Sequence, residues 1–412
     1  MESVSRRGLL ALGPAAVGGG MAALAAAPAA AANGPAIALG ALKPDSAFDL
    51  LGNGGDTTDL WKEALARLGT AGGGCIRVFG EHKISARLDL PDAAYLEIAG
   101  FGAVIRKDRP GEEFRLFQGR PSRPDATAVF RDLLLIGDWD AVPTMGGNDA
   151  RCIALRGYGQ VVFDHLYVRA FRQMSLTSVN TGQVLVSNCT IERSARDAIN
   201  VSGSRFATIT SCAVRNCGDD GIAHHAPKGM SEAEKKYGTV IVGNQLEDTT
   251  GIKVLGGENI IIAHNNVMRP KGSGIHIGKS TSFSEGFIEH RNVIIQGNII
   301  SDVVQIKYVR ENEDLDAGII ITDAGRNTYD TMIIDNIISK SKPGGVQYSD
   351  WGYGQLFTAR GWMNPRLDRG HLDKGRGIFV SSLNANDTDQ VFIDRNRFSR
   401  IDPTKTIVRN AG

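Results

Sequence analysis

A six-residue phrase recurs along this chain and limits its fold more than any other feature. It reads "VFDHLY", "LVSNCT", "TITSCA", "IVGNQL", "IAHNNV", "IQGNII", "IIDNII" and "IDRNRF". Its fourth residues are His165, Asn188, Ser211, Asn244, Asn265, Asn298, Asn336 and Asn396, spaced by 23, 23, 33, 21, 33, 38 and 60 residues. The longer gaps read as a basic period plus an insertion, or as more than one period. A second phrase interleaves with the first: "DAINV", "DGIAH", "TGIKV", "SGIHI", "AGIII", "RGIFV". Both are short, mostly apolar stretches beside Gly or Asn turns, which is strand chemistry. The chain's 50 glycines supply turns for many such strands. Strands recurring every ~22 residues, with no helices between them, predict an all-β parallel β-helix. A single coil cannot bury its apolar face alone, so coils stack. Asn at the repeated turn suits a stacked side-chain ladder, because its amide both donates and accepts. A β-propeller is the runner-up, but its repeats run to ~40–45 residues with four strands.

The ends of the chain read differently. Residues 1–32 hold paired Arg6 and Arg7, a weakly apolar Gly/Ala-rich run, and small residues suited to cleavage near Ala32. That pattern resembles a twin-arginine export signal, which implies a periplasmic or secreted protein exported already folded. Removing it takes two Arg and one Glu from 46 basic and 45 acidic residues, leaving 44 of each. A balanced charge gives no electrostatic case for a nucleic-acid partner. No later run is long and apolar enough to span a bilayer, so no membrane role is expected after signal removal. Residues 33–70 form an N-terminal segment with a capping helix over 57–69, where Leu60, Trp61, Ala64, Leu65 and Leu68 recur at helical spacing. The solenoid is expected over 71–412, with insertions near 225–238 and 347–371. A homo-oligomer is left open. The five cysteines show no CxxC or metal spacing and read as small buried hydrophobes; a Cys212–Cys217 disulfide has no support.

Stacking the second phrase puts residues in columns. The residue before its small-Ile step is Asp197, Asp220, Thr250, Ser273, Ala317 and Arg376 in successive coils. The residue after the Ile is Asn200, Ala223, Lys253, His276, Ile320 and Phe379. With the Ile inward, Asn200, Lys253 and His276 point outward and are expected in one exposed column. Asp197 and Asp220 become stacked carboxylates about 4.8 Å apart, with Asp219 beside them. Three such carboxylates repel, so at least one has a raised pKa unless cations or donors neutralise the group. A protonated acid beside an ionised base is what glycoside hydrolysis needs. The bland alternative is a solvated Asp-Gly turn, which is common. His225 is expected outward, within reach of the carboxylates. His224 is expected inward and satisfied, and adjacent histidines facing opposite ways argue against a metal site.

Two resemblances add to this. The segment "GDTTDLWKEALARLGTAGGGCIRVFGEHKIS" resembles the opening of right-handed parallel β-helix proteins of the pectate-lyase superfamily, where a helix cap precedes a Gly-rich turn and the first strand. The segment "ARDAINVSGSRFATITSCAVRNCGDDGIA" resembles the polygalacturonase-type glycoside hydrolases, family 28-like, over about 30 residues. By that resemblance Asp219 is the general acid, and Asp197 and Asp220 hold and activate the water of an inverting hydrolysis. The pattern departs in named places. Ala195 and Arg196 replace the family's Asn and Thr before Asp197. Thr250 stands for the His of Gly-His-Gly, and His276 and Gly278 for the Arg and Lys of Arg-Ile-Lys. Lys253 and Lys279 are the remaining cations for an acidic sugar.

The expected function is therefore hydrolysis of a polysaccharide or oligosaccharide, with no cofactor and no metal. Substrate contacts are expected from Lys253, His276, His225 and Lys279, and from aromatic faces of the 347–371 insertion, Trp351 and Trp362. A polysaccharide lyase or C5-epimerase is the alternative, with Lys253 or His276 as base and the Asp trio on Ca²⁺. A non-catalytic carbohydrate-binding β-helix is the third reading.

Overall fold

In the computed structural model the chain winds into a parallel β-helix. The structure describes residues 46–225, 238–271, 273–278, 290–303, 317–321, 330–340, 376–382, 391–399 and 407–411. The export segment, the bodies of both insertions, Lys279, Trp351 and Trp362 lie outside them. Among the described residues the strands form two sheets, one of 21 strands and one of 11. A representative coil carries strands Gln183–Ser187 and Thr190–Glu192 in the larger sheet, then Ile199–Ser202 in the smaller one. Each pairs in parallel with its equivalents in the coils on either side.

The core is the inward side of these columns. Ile153, Leu176, Ile199, Ile222, Ile252, Ile275 and Ile319 stand in register through the smaller sheet and are all buried. The small residue before each Ile has a steric cause. At Gly251 the backbone takes φ +86°, and a Cβ there would lie 2.3 Å from the carbonyl oxygen of Gly274 in the next coil. Only glycine meets both demands.

The asparagine ladder exists, but only the later copies of the phrase supply it; the earlier copies stand one residue out of register. Asn244, Asn265, Asn298 and Asn336 are buried. Each Nδ2 donates to the next Oδ1 at 2.9–3.0 Å, ending on Asn396. In the earlier coils His165, Asn188 and Ser211 are instead left-handed bends, with φ of 53°, 54° and 56°. The inward position is the residue after the bend, occupied there by Leu166, Cys189 and Cys212. Asn tolerates the left-handed bend and also suits the ladder, so one letter marked two different positions.

The register also explains the cysteines. The Cys189 and Cys212 thiols donate to the carbonyls of Phe163 and Val186, as Asn244 Nδ2 does to Ile209. They are weak-donor rungs of the same ladder. None of the five cysteines is in a disulfide, and four are buried. Native protein treated with a thiol reagent should therefore react at Cys75 at most, and urea should expose five thiols; a missing pair after denaturation would reveal a disulfide.

The first coil is capped by helix α1, Thr58–Thr70, which buries Trp61, Ala64, Leu65 and Leu68. Leu60, expected on that face, is 49% exposed because it sits one position off the stripe. Asp56 Oδ1 accepts from the Thr58 amide at the helix start. The Trp61 indole donates to His82 Nδ1 at 3.2 Å and packs edge-on against Phe117 at 5.4 Å. One strand went unread in the sequence: Ala47–Leu51 precedes the helix and pairs in parallel with Gly73–Phe79.

Candidate active site

Register places the three aspartates. Ile199 pairs with Ile222, so Asp197 and Asp220, two residues earlier on each coil, are stacked; the Ala198 amide donates to the Asp220 carbonyl at 3.0 Å. Asp219 joins them, and oxygens from all three lie within 4.8 Å of one another. Asp197 and Asp220 are each 3% exposed, whereas the Asp219 side chain is 23% exposed.

Each carboxylate has its own partners. Asn200 Nδ2 donates to Asp197 Oδ2 at 2.6 Å, and Ser202 orients Asn200 by donating to its Oδ1 at 3.0 Å. Arg196 Nη2 lies 3.0 Å from Asp219 Oδ2. Asp220 accepts from the Thr250 hydroxyl at 2.5 Å, with Lys253 Nζ at 3.9 Å and His225 Nε2 at 3.7 Å. These surroundings push the acids apart. Burial, then the charges of Asp219 and Asp220, raise Asp197 from 3.8 to about 7. Burial would also raise Asp220, but Lys253, His225 and the Thr250 hydroxyl outweigh it and hold that carboxyl below the usual range. Near neutral pH the trio therefore keeps one proton, on the side of Asp197.

The expected binding residues divide. Lys253 and His225 do reach the carboxylates. His276 pairs in register with Lys253 but is buried, and its Nε2 has no hydrogen-bond partner among the described residues. Burial, then Lys253, drop its pKa to about 3, so the ring is neutral. The exposed column is thus a correction. Asn200 and His276 are buried at 4%, and the Lys253 side chain is 21% exposed. Alternation fixes which way a side chain points, not what lies over it. His224 points inward as expected, fully buried with Nδ1 against the Thr239 hydroxyl.

Sequence reasoning underrated three residues. Arg196 and Thr250 stood out only as departures from a family pattern, yet they hold Asp219 and Asp220. Asn200 was placed in the outward column but not linked to Asp197. Arg196 and Thr250 each lie next to their aspartate in the stacked register, and Asn200 lies three residues after Asp197 on its own coil; those adjacencies were the available signal.

Metal fit follows from charge. Arg196 and Lys253 offset two of the three carboxylates, and the shared proton offsets the third. Asp220 already has its donors, so the trio as built has no call for Ca²⁺, which takes 6–8 oxygen ligands.

The family profile described as "Right handed beta helix region" matches residues 144–233 and 178–358, together just over half of the chain. The chain belongs to the right-handed β-helix family. Among solved structures, this β-helix resembles the catalytic domain of a GH87 α-1,3-glucanase in complex with nigerose. The two are 16% identical over 90% of this chain and 69% of that one, with a TM-score of 0.52. It also matches the A-module of the Azotobacter vinelandii mannuronan C-5 epimerase AlgE4 at 15% identity, over 87% and 95% of the two chains, with a TM-score of 0.49. A family 28 exopolygalacturonase of Yersinia enterocolitica is 13% identical over 86% and 74%, with a TM-score of 0.49. At such identities the likeness is one of fold. No curated protein matches the chain. No helix of the described residues is long and apolar enough to cross a membrane.

Proposed function

We propose that this β-helix is an exported enzyme that hydrolyses a glycosidic bond in a polysaccharide or oligosaccharide. The carboxylate trio carries the reading: one acid keeps a proton near neutral pH while its neighbour stays ionised. Hydrolysis needs that combination, a proton for the leaving oxygen and a base for water. Asp219, the most exposed of the three, meets the leaving oxygen, with the protonated Asp197 within 4.8 Å of it. Asp220 is the base. It is 3% exposed and held by Thr250, Lys253 and His225, so in this reading it acts on the sugar through a water rather than by direct attack. That favours inversion. The spacing alone is nearer the ~5–5.5 Å of a retaining pair than the ~6.5–9.5 Å of an inverting one, so the anomer first formed, read by proton NMR, is the check.

The lyase and epimerase readings need a strong base on the sugar. Lys253 is engaged with Asp220, and the His276 ring, with a pKa of about 3, is a weak base. Export in the folded state accords with five cysteines outside any disulfide, four of them buried.

The test is incubation with a polysaccharide panel, assaying reducing ends and ultraviolet absorbance together across pH. Reducing ends should appear without absorbance. The rate should fall as pH rises through about 7, because Asp197 then loses the shared proton; Asp220, held low, stays ionised well below that. A chelator should change nothing. Absorbing, unsaturated products would replace hydrolysis with elimination, and bound but intact polymer would leave a binding protein.

A further inference from the structure

The column that carries Asp197 and Asp220 holds two arginines in its early coils. Phe117 pairs with Ile153 and Ile153 with Leu176, so Arg115, Arg151 and Met174 precede Asp197 in the same stack. The Leu116 amide donates to the Arg151 carbonyl at 3.1 Å, which fixes Arg115 and Arg151 on adjacent coils. Like charges so placed repel, at about 4.8 Å per coil.

Their partners do not balance them. Arg115 Nη2 lies 2.7 Å from Asp149 Oδ1, and its Nη1 donates to Gln118 Oε1 at 2.7 Å. The Arg151 guanidinium has no hydrogen bond or ion pair among the described residues, and the Nε atoms of both arginines are buried without an acceptor. Burial, then Arg115, lower the Arg151 pKa, while Asp197 and Asp149 act the other way at longer range. The neighbouring Arg196 is already engaged with Asp219. Arg115 thus takes the carboxylate of Asp149, and among the described residues no carboxylate is in contact with Arg151. A half-buried guanidinium without an acceptor is costly, and its planar fork matches a carboxylate or sulfate.

We propose that Arg151, stacked on Arg115, is an anion subsite that binds a carboxylate or sulfate ester on the glycan. It lies two coils from Asp197, roughly 10 Å along the solenoid axis. A glycan lying along the columns would reach both. This subsite is on the coils before the carboxylates, opposite to Lys253 and His276 on the coils after them. The inference rests on the hydrolase reading only for the identity of the ligand as a glycan.

Binding tests it independently of turnover. Asp219→Asn protein, alone and with Arg151→Gln or Arg151→Lys, is run by affinity electrophoresis through polygalacturonate, alginate and carrageenan. Carboxyl-reduced or desulfated counterparts are the neutral controls, and thermal melts confirm folding. At least one anionic polymer should retard the parent about ten-fold more strongly than its neutral counterpart. Arg151→Gln should abolish that difference, Arg151→Lys should keep part of it, and added salt should weaken it. The pair that shows the preference separates carboxylate from sulfate. Equal retardation by charged and neutral polymers, or a Gln variant that retains the preference, overturns the subsite. Arg151-dependent binding of a polymer that the wild type never depolymerises would keep the subsite and sink the hydrolase. Cleavage of neutral glycans alone would do the reverse.

Discussion

Asp219→Asn should lower turnover by about 10²–10⁴-fold, the usual loss when a general acid is removed. Asn keeps the shape of the side chain and its place beside Arg196 but cannot deliver a proton. The fold should hold, because two effects oppose. Arg196 loses a charged partner at 3.0 Å, while Asp197 loses the nearby charge that ranks, after burial, among the causes of its raised pKa. The thermal midpoint should stay near that of the wild type. The pH profile distinguishes this from a structural defect: Asp219→Glu should restore part of the rate with an alkaline limb still visible. Asp219→Asn turning over like the wild type would remove it from the mechanism, and the trio would then be only a charged turn.

Asn298→Ala should destabilise the solenoid by about 3–5 kcal/mol. The Asn298 amide makes four bonds: Nδ2 to Ile262 O and to Asn336 Oδ1, and Oδ1 from the Asn265 amide and Asn265 Nδ2, all at 2.9–3.0 Å. Two neighbours keep other partners, since Asn336 Oδ1 still accepts from the Asn298 amide and Asn265 Nδ2 still donates to Ile241. The Ile262 carbonyl and the Asn265 amide lose a side-chain partner in a buried setting, at about 1–3 kcal/mol each, and a cavity adds to that. Asn396 closes the described ladder and is half-buried, so Asn396→Ala should cost less. Urea unfolding of both variants checks the order. If the coils unfold in separate steps, as nearest-neighbour stacking allows, the Asn298 loss should fall on the transition that includes Asn265 and Asn336. Equal midpoints for the two variants would mean that the ladder follows the fold rather than stabilising it.

The sequence by itself determined the solenoid, because the cause is local and repeated. An apolar Ile beside a small residue, every coil, must point inward, and a coil with one apolar face must stack. The same repetition located the carboxylates: Asp197 and Asp220 share a column once the Ile residues are aligned, and Asp219 is joined to Asp220 by a peptide bond. The capping helix was legible from Trp61, Leu65 and Leu68 for a similar reason, although Leu60 was assigned to a face it does not share.

Tertiary structure decided whatever depends on contacts between coils. The asparagine rungs begin at Asn244 and not before, because a left-handed bend and an inward rung accept the same amino acid and only backbone φ separates them. The protonation of the trio was open in sequence, since it depends on burial and on Arg196 from one coil meeting Thr250 and Lys253 from another two coils on. Burial of Asn200 and His276 was invisible too, as periodicity gives direction but not cover. The pairing of Arg115 with Arg151 spans 36 residues of sequence. It becomes a single site only because successive coils place them one above the other, about 4.8 Å apart.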